Sequence, residues 1–204
     1  MHKIINGIRE RTNVKKALYF DVETTGLNPY KNDIIQFACL VEINGEIKEE
    51  FETKVAPHDI EACDPKALEI HGYSVEDLRE FPHPKEVYNQ MTKLFGKYVN
   101  KFDKEDKFAP AGFNVRFDAD FLKSFFTKCG DKYYGSWFSW RMVDPLYKLY
   151  EMDYEQKINL PDYKLATVCS HFGIELKAHD ALSDIKATRE LRYLLSPTHE
   201  PRRS

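Results

Sequence analysis

An α/β fold, a mixed sheet flanked by helices, is predicted for this chain by two observations. Apolar runs of strand length come first, as a meander closed by an Asn44-Gly45 turn. Segments of helical period follow and alternate with two further short apolar runs. That order places one sheet between layers of helices. The 204 residues, 42% hydrophobic and 14% aromatic, suffice for one domain with its own core. We expect a single domain over 1–204, its core at about 16–195, with short flexible termini.

The first dozen residues are polar and basic and read as a loose arm. Residues 16–23 form the first strand, and Asn28 to Asp33 is a loop by its turn residues. Ile34 to Ile43 is the second strand; Asn44-Gly45 turns it into a third, Glu46 to Val55. Asp64 to His71 is a short helix ended by Gly72, and Ser74 with Asp77 has the spacing of a capping box. Pro84 to Val99 is a helix with Pro at its start. Lys107 to Gly112 is the fourth strand, Asn114 caps a helix to about Lys128, and Ser139 to Val143 is the fifth strand. Pro161 to Phe172 and His179 to Leu195 complete the helices.

Composition narrows the function. The formal net charge is −3, so a nucleic-acid partner would be held locally or through metal ions. Four cysteines (Cys39, Cys63, Cys129, Cys169) form no CxxC pair, and Cys39 and Cys169 lie in apolar runs as core residues. No signal peptide or apolar stretch of spanning length is present, which suggests a reducing, cytoplasmic-type compartment.

Four acids stand in unexpected places. Asp21 and Glu23 end the first strand and project to the same side, roughly 7 Å apart along the backbone. Leu18, Phe20 and Val22 point the other way. Asp118 continues the apolar stripe of Phe121, Leu122 and Phe125. Asp184 falls among Ala181, Thr188, Leu191 and Leu195. A Lys or Arg partner, or a capping role, could answer for Asp118 or Asp184 alone. Four misplaced carboxylates are better explained by one shared hard-cation site. His179, at the start of the same helix as Asp184, titrates near neutrality and could take a proton from a metal-bound water.

Three motifs then carry a resemblance: Asp21-Val22-Glu23-Thr24-Thr25-Gly26-Leu27, Gly112 to Leu122, and His179-Asp180-Ala181-Leu182-Ser183-Asp184. In this order the chain resembles the DEDD 3′→5′ exonucleases of the ribonuclease H-like superfamily, in the DnaQ-like subgroup with a histidine. The resemblance implies a ribonuclease H-like mixed five-stranded sheet. It implies two divalent cations, Mg²⁺ or Mn²⁺, on Asp21, Glu23, Asp118 and Asp184, with His179 as general base. It places the terminal nucleotide against Thr24, Thr25 and Gly26, with Leu27 as a wedge beside its base. Asn114 and Phe117 match positions lining the 3′-end pocket, and His71 a position near the substrate. Asp144 matches an acidic position that is not a ligand. Phe113 departs from relatives that carry His there.

The implied reaction is release of nucleoside monophosphates from the 3′ end of single-stranded DNA or RNA by two-metal phosphodiester hydrolysis. The implied partners are that 3′ end and a polymerase or a second copy, with no membrane. The alternatives are a proofreading subunit of a DNA polymerase and a non-catalytic nucleic-acid-binding module; the intact acid set speaks against the last. Trp137-Phe138-Ser139-Trp140 with Tyr133 and Tyr134 reads as core or mixed packing, with base stacking as the functional option. Lys148, Lys157 and Lys164 read as solvated surface, and Arg202-Arg203 as a weak electrostatic contact in the tail.

Overall fold

The structure is a computed structural model that describes residues 14–177 and 180–196, with the backbone of two short strands near the start. Those strands, β1 (Ile4–Ile5) and β2 (Ile8–Arg9), pair antiparallel within the expected arm. The tail from residue 197 lies outside the described residues.

The main sheet runs in the order β5-β4-β3-β6. Its first three strands are β3 (Lys16–Thr24), β4 (Ile34–Ile43) and β5 (Glu46–Lys54), all antiparallel. The turn between β4 and β5 works because Asn44 and Gly45 both take positive φ, 53° and 88°, the geometry that matches strand twist. β6 (Ala109–Ala111) lies parallel to β3, with Tyr19 opposite Ala111.

Each face of β3 is covered by helices, as the residue alternation requires. Leu18, Phe20 and Val22 pack with Val87, Met91 and Phe95 of α3 (Pro84–Phe95) and with Phe121, Leu122 and Phe125 of α4 (Val115–Lys128). On the other face Tyr19, with Ala38 and Leu40 of β4, packs on Ala181 and Ile185 of α7 (Ala181–Leu194). Leu146 and Leu149 of α5 (Pro145–Tyr154) and Val168 and Cys169 of α6 (Leu165–Phe172) complete that layer on Ala187 and Leu191. Two short helices, α1 (Pro65–His71) and α2 (Val75–Arg79), cross between β5 and α3. Asp64 caps α1, Gly72 ends it at φ 73°, and Ser74 and Asp77 form the expected capping box.

Three expectations are corrected. The described main sheet has four strands, not five. Residues 138–143 run parallel to β6 but meet it only at Phe108↔Phe138 and Ala111↔Val143. Between those points Ala109 and Pro110 face the longer stretch from Ser139 to Met142, which loops out and leaves Trp140 84% exposed. Pro110 is the cause: it has no N–H to give across that edge, although its carbonyl still accepts from Val143 N–H at 2.8 Å. Second, Asn114 occupies the N-cap position of α4 in the left-handed region (φ 57°) but makes no side-chain cap. Asp144 caps instead, accepting from Asn114 N–H at 3.3 Å and Val115 N–H at 3.1 Å. Third, α5 was not foreseen, α3 stops at Phe95 rather than Val99, and α6 starts at Leu165 rather than Pro161.

Candidate active site

β6 stops opposite Tyr19, so β3 continues with one edge open. Asp118 takes that edge: its carboxylate accepts the Val22 N–H at 3.1 Å. The chain reaches α4 through Gly112, where a Cβ would stand 3.0 Å from the Phe20 carbonyl and 3.0 Å from Val115 Cγ2. A side chain there would force β3 and the start of α4 apart by a few tenths of an ångström, and this close approach brings Asp118 to the strand end.

Asp21 is the electrostatic centre of the site. Burial pushes its carboxyl up to about 7, and the charges of Glu23 and Asp184 push in the same direction. Asp118, buried and 4% exposed, is pushed well above the usual carboxylate range by burial and by Asp21, and the Val22 N–H pulls partly back. Strand β3 therefore supplies two acids, α4 a third from one face of the sheet and α7 a fourth from the other. Among the described residues no three His, Cys, Asp or Glu side chains converge closely enough to hold an ion as they stand. The donor set fits a hard divalent cation on other grounds: all four groups are carboxylates, and burial and neighbouring acids disfavour the charged state of Asp21 and Asp118, which a cation would restore. His179 lies outside the described residues.

The loop after Glu23 is fastened from within. Thr25 is buried; its hydroxyl accepts the Asp33 N–H at 2.9 Å and its own N–H donates to the Asp33 carbonyl at 2.9 Å. The Thr25 carbonyl accepts from Asp64 N–H at 2.7 Å, which ties the loop to the start of α1. A Cβ on Gly26 would strike the Asn32 side chain at 2.6 Å. Thr24 donates its hydroxyl to the Gly26 carbonyl at 2.8 Å. Thr25 and Gly26 are thus struts that set the loop's shape, and Leu27, 82% exposed, is presented outward at its end.

Behind the loop stands Asp33, 3% exposed. It accepts from Lys128 Nζ at 2.8 Å and Asp59 N–H at 3.0 Å, and His58 Nδ1 lies at 3.4 Å. These hydrogen bonds outweigh burial and hold its carboxyl below the usual range. Sequence reading missed this lock, because neither Asp33 nor Lys128 stands out by spacing alone. The remaining expected positions are held by local contacts. Asn114 is exposed, and Phe117 is half-buried against Phe121 with ring centroids 4.9 Å apart. His71 ends α1; its Nδ1 accepts the Tyr73 N–H at 3.1 Å, and burial lowers its pKa. Asp144 joins two helix starts, accepting from Leu146 N–H of α5 at 2.9 Å as well as from α4. An Asp-Pro pair is the N-cap and first-turn signal that could have revealed α5.

A mixed sheet whose central strand ends in paired acids, with helices on both faces, is the architecture of the ribonuclease H-like fold. The chain belongs to the RNase_T exonuclease family, whose model matches residues 18–191. A PolC-type DNA polymerase III of Halalkalibacterium halodurans is 31% identical over 173 residues, 84% of this chain and 11% of that protein. The PolC-type polymerase of Bacillus subtilis is 26% identical over 173 residues, again 84% of this chain and 11% of that one. Escherichia coli exonuclease I in complex with a 5cy-dT13 oligonucleotide matches with a TM-score of 0.73 and 25% identity, over 93% of this chain and 42% of that one. The zinc-ion-bound form of the exonuclease I–ssDNA complex gives the same values. The chain thus spans about a tenth of the polymerases and less than half of exonuclease I.

Proposed function

We propose that this chain is a metal-dependent 3′→5′ exonuclease domain that releases nucleoside monophosphates from the 3′ end of single-stranded DNA or RNA. The observation that carries this reading is the open end of β3, where Asp21 and Glu23 stand, Asp118 accepts the Val22 N–H at 3.1 Å, and Asp184 lies within electrostatic reach of Asp21. Asp21, Glu23, Asp118 and Asp184 would hold two divalent ions, and oxygen-only ligands suit Mg²⁺ or Mn²⁺. When bound, the ions supply counter-charge and Lewis acidity to the phosphodiester. His179 accepts the proton of the attacking water; the bond from phosphorus to the 3′ oxygen breaks, and the shortened strand keeps its 3′-hydroxyl. The braced Thr24–Gly26 loop seats the terminal nucleotide, and the exposed Leu27 wedges beside its base. Asn114, Phe117 and His71 line the pocket.

A gel assay on a 5′-labelled oligonucleotide, with Mg²⁺ or with EDTA, tests this directly. A ladder that shortens from the 3′ end only with metal is expected, and Asp184→Asn should abolish it with the fold intact. Retained hydrolysis by that variant, or efficient cutting of a circular single strand, would remove the reading. The PolC-type polymerases among the relatives favour a second reading, proofreading of a primer end. A several-fold faster attack on a mismatched than on a matched primer terminus would support it. The four cysteines are free thiols, in keeping with a reducing, cytoplasmic-type compartment, and no helix among the described residues is long and apolar enough to cross a membrane.

A further inference from the structure

Helix α5 carries three tyrosines at spacings that share one face: Tyr147, Tyr150 and Tyr154, exposed by 64%, 47% and 89%. The adjoining face, Leu146 and Leu149, is buried in the core. Single exposed aromatics are ordinary, but a stripe of three on one short helix is not. Asp144 caps α4 and α5 together, so the stripe starts where α4 starts, and Arg116 in the first turn of α4 lies within electrostatic reach of Tyr147. Arg116 is exposed and steadied by Asp120 at 2.9 Å. It also lies within electrostatic reach of Tyr30, 87% exposed on the loop that follows Leu27. That loop is held by its own hydrogen bonds, from Tyr30 N–H to Asn28 Oδ1 at 2.9 Å and Asn28 N–H to Asn32 Oδ1 at 3.0 Å.

We infer that Arg116 and the tyrosine face of α5 form a track for the single strand upstream of its 3′ end, bases stacking on Tyr147, Tyr150 and Tyr154 and a phosphate meeting Arg116. This rests on the exonuclease reading above and adds to it the surface that holds the strand beyond its terminal nucleotide. The chemistry fits. Aromatic rings take any base, whereas a duplex hides its base faces, and a cation at the site end matches the phosphodiester. From Tyr147 to Tyr154 the helix rises about 10 Å, enough for a few successive bases. Tyr150 is already fixed by Tyr163, ring centroids 5.4 Å apart, so little ordering is required on binding.

The test is binding in EDTA, which needs no turnover. A fluorescein-labelled oligothymidylate of about ten nucleotides, followed by anisotropy, should bind the wild type. The double variant Y147A/Y154A should bind it at least tenfold more weakly, Y147F/Y154F should restore binding, and R116A should flatten the log-salt slope by about 0.7. With Mg²⁺, the kcat/KM ratio of oligomer over the p-nitrophenyl ester of thymidine 5′-monophosphate should fall in the alanine variant by the same factor. No binding by the wild type, unchanged affinity in the double variant, or an equal loss on oligomer and nucleotide ester would each overturn the track. Preserved affinity of Y147A/Y154A for the oligomer with lost affinity for a protein would instead make the stripe a protein-docking face and overturn it too. Tight, tyrosine-dependent binding with no hydrolysis of either substrate would uphold the track and refute the exonuclease reading.

Discussion

Asp33→Asn perturbs the lock behind the Thr24–Gly26 loop, and its cost follows from the surroundings. Asn keeps the size and one acceptor but not the charge. Asp33 receives hydrogen bonds from Lys128 Nζ at 2.8 Å and Asp59 N–H at 3.0 Å, and faces His58 at 3.4 Å. A hydrogen bond to a charged group contributes about 1.5–3 kcal/mol, and stranding one partner of a fully buried pair costs about 3–5. The Lys128 side chain is 24% exposed, so water recovers part of that loss. We expect roughly 2–3 kcal/mol of destabilisation at neutral pH, or about 5–10 °C in Tm. The sign with pH is fixed by the direction of the shift. The folded carboxyl titrates below its unfolded value, so its contribution is complete above about pH 4–5 and is lost as pH falls through the folded value. Urea unfolding of wild type and variant at pH 7 and near pH 3 measures both quantities. A difference under about 0.5 kcal/mol at pH 7, or a gap that does not narrow between pH 7 and pH 3, refutes the reasoning. Lys128→Met placed on Asp33→Asn should recover much of the loss, since removing both partners strands no charge.

Other variants probe the site from different sides. Asp118→Asn should abolish hydrolysis in the gel assay, yet raise the stability of the EDTA-treated protein by about 1–2 kcal/mol in urea. The amide still accepts the Val22 N–H while one of the crowded charges goes. Gly112→Ala should lower kcat by an order of magnitude or more and cost about 1–3 kcal/mol, because its Cβ meets the Phe20 carbonyl and Val115 at 3.0 Å and must push the start of α4 away. Asp144→Ala uncaps α4 and α5 at once and should cost about 2–3 kcal/mol by thermal melt, twice the usual single cap; a loss below about 0.5 kcal/mol would show that the two helix starts do not depend on it.

The sheet was legible because its signals are local. Alternation in residues 16–23, the unbroken apolar run 34–43 and the Asn44-Gly45 turn each act within a few residues, and β3, β4 and β5 appear within a residue of where they were expected. The fifth strand failed for a reason also local but opposite in effect. The aromatic, strand-like 137–143 meets an edge where Pro110 offers no donor, and pairing propensity cannot overcome a missing partner. The aromatic cluster proved mixed: Trp137 and Phe138 are buried with Phe95, whereas Tyr133 and Trp140 are exposed.

For the site, what sequence could reveal was misfit and what it could not reveal was support. Asp118 and Asp184 announce themselves because a carboxylate on an apolar stripe violates helix amphipathicity wherever the partner lies. Asp33, Lys128 and Asp144 violate nothing: an acid in a polar loop, a lysine at a helix end and an acid before a proline all suit their local settings. Their work is done across long sequence separations, Asp33 to Lys128 and Asp144 to Val115, which no local pattern encodes. The same blindness hid α5, whose tyrosines interrupt the polar face that marks a surface helix. The acids proposed to hold the metal ions break the folding pattern, and the residues that brace the elements carrying them obey it. Mutational scanning of this chain should therefore find a set of positions, Asp33 and Asp144 first among them, that lower activity through stability and are restored by cooling, whereas Asp21, Glu23, Asp118 and Asp184 are not.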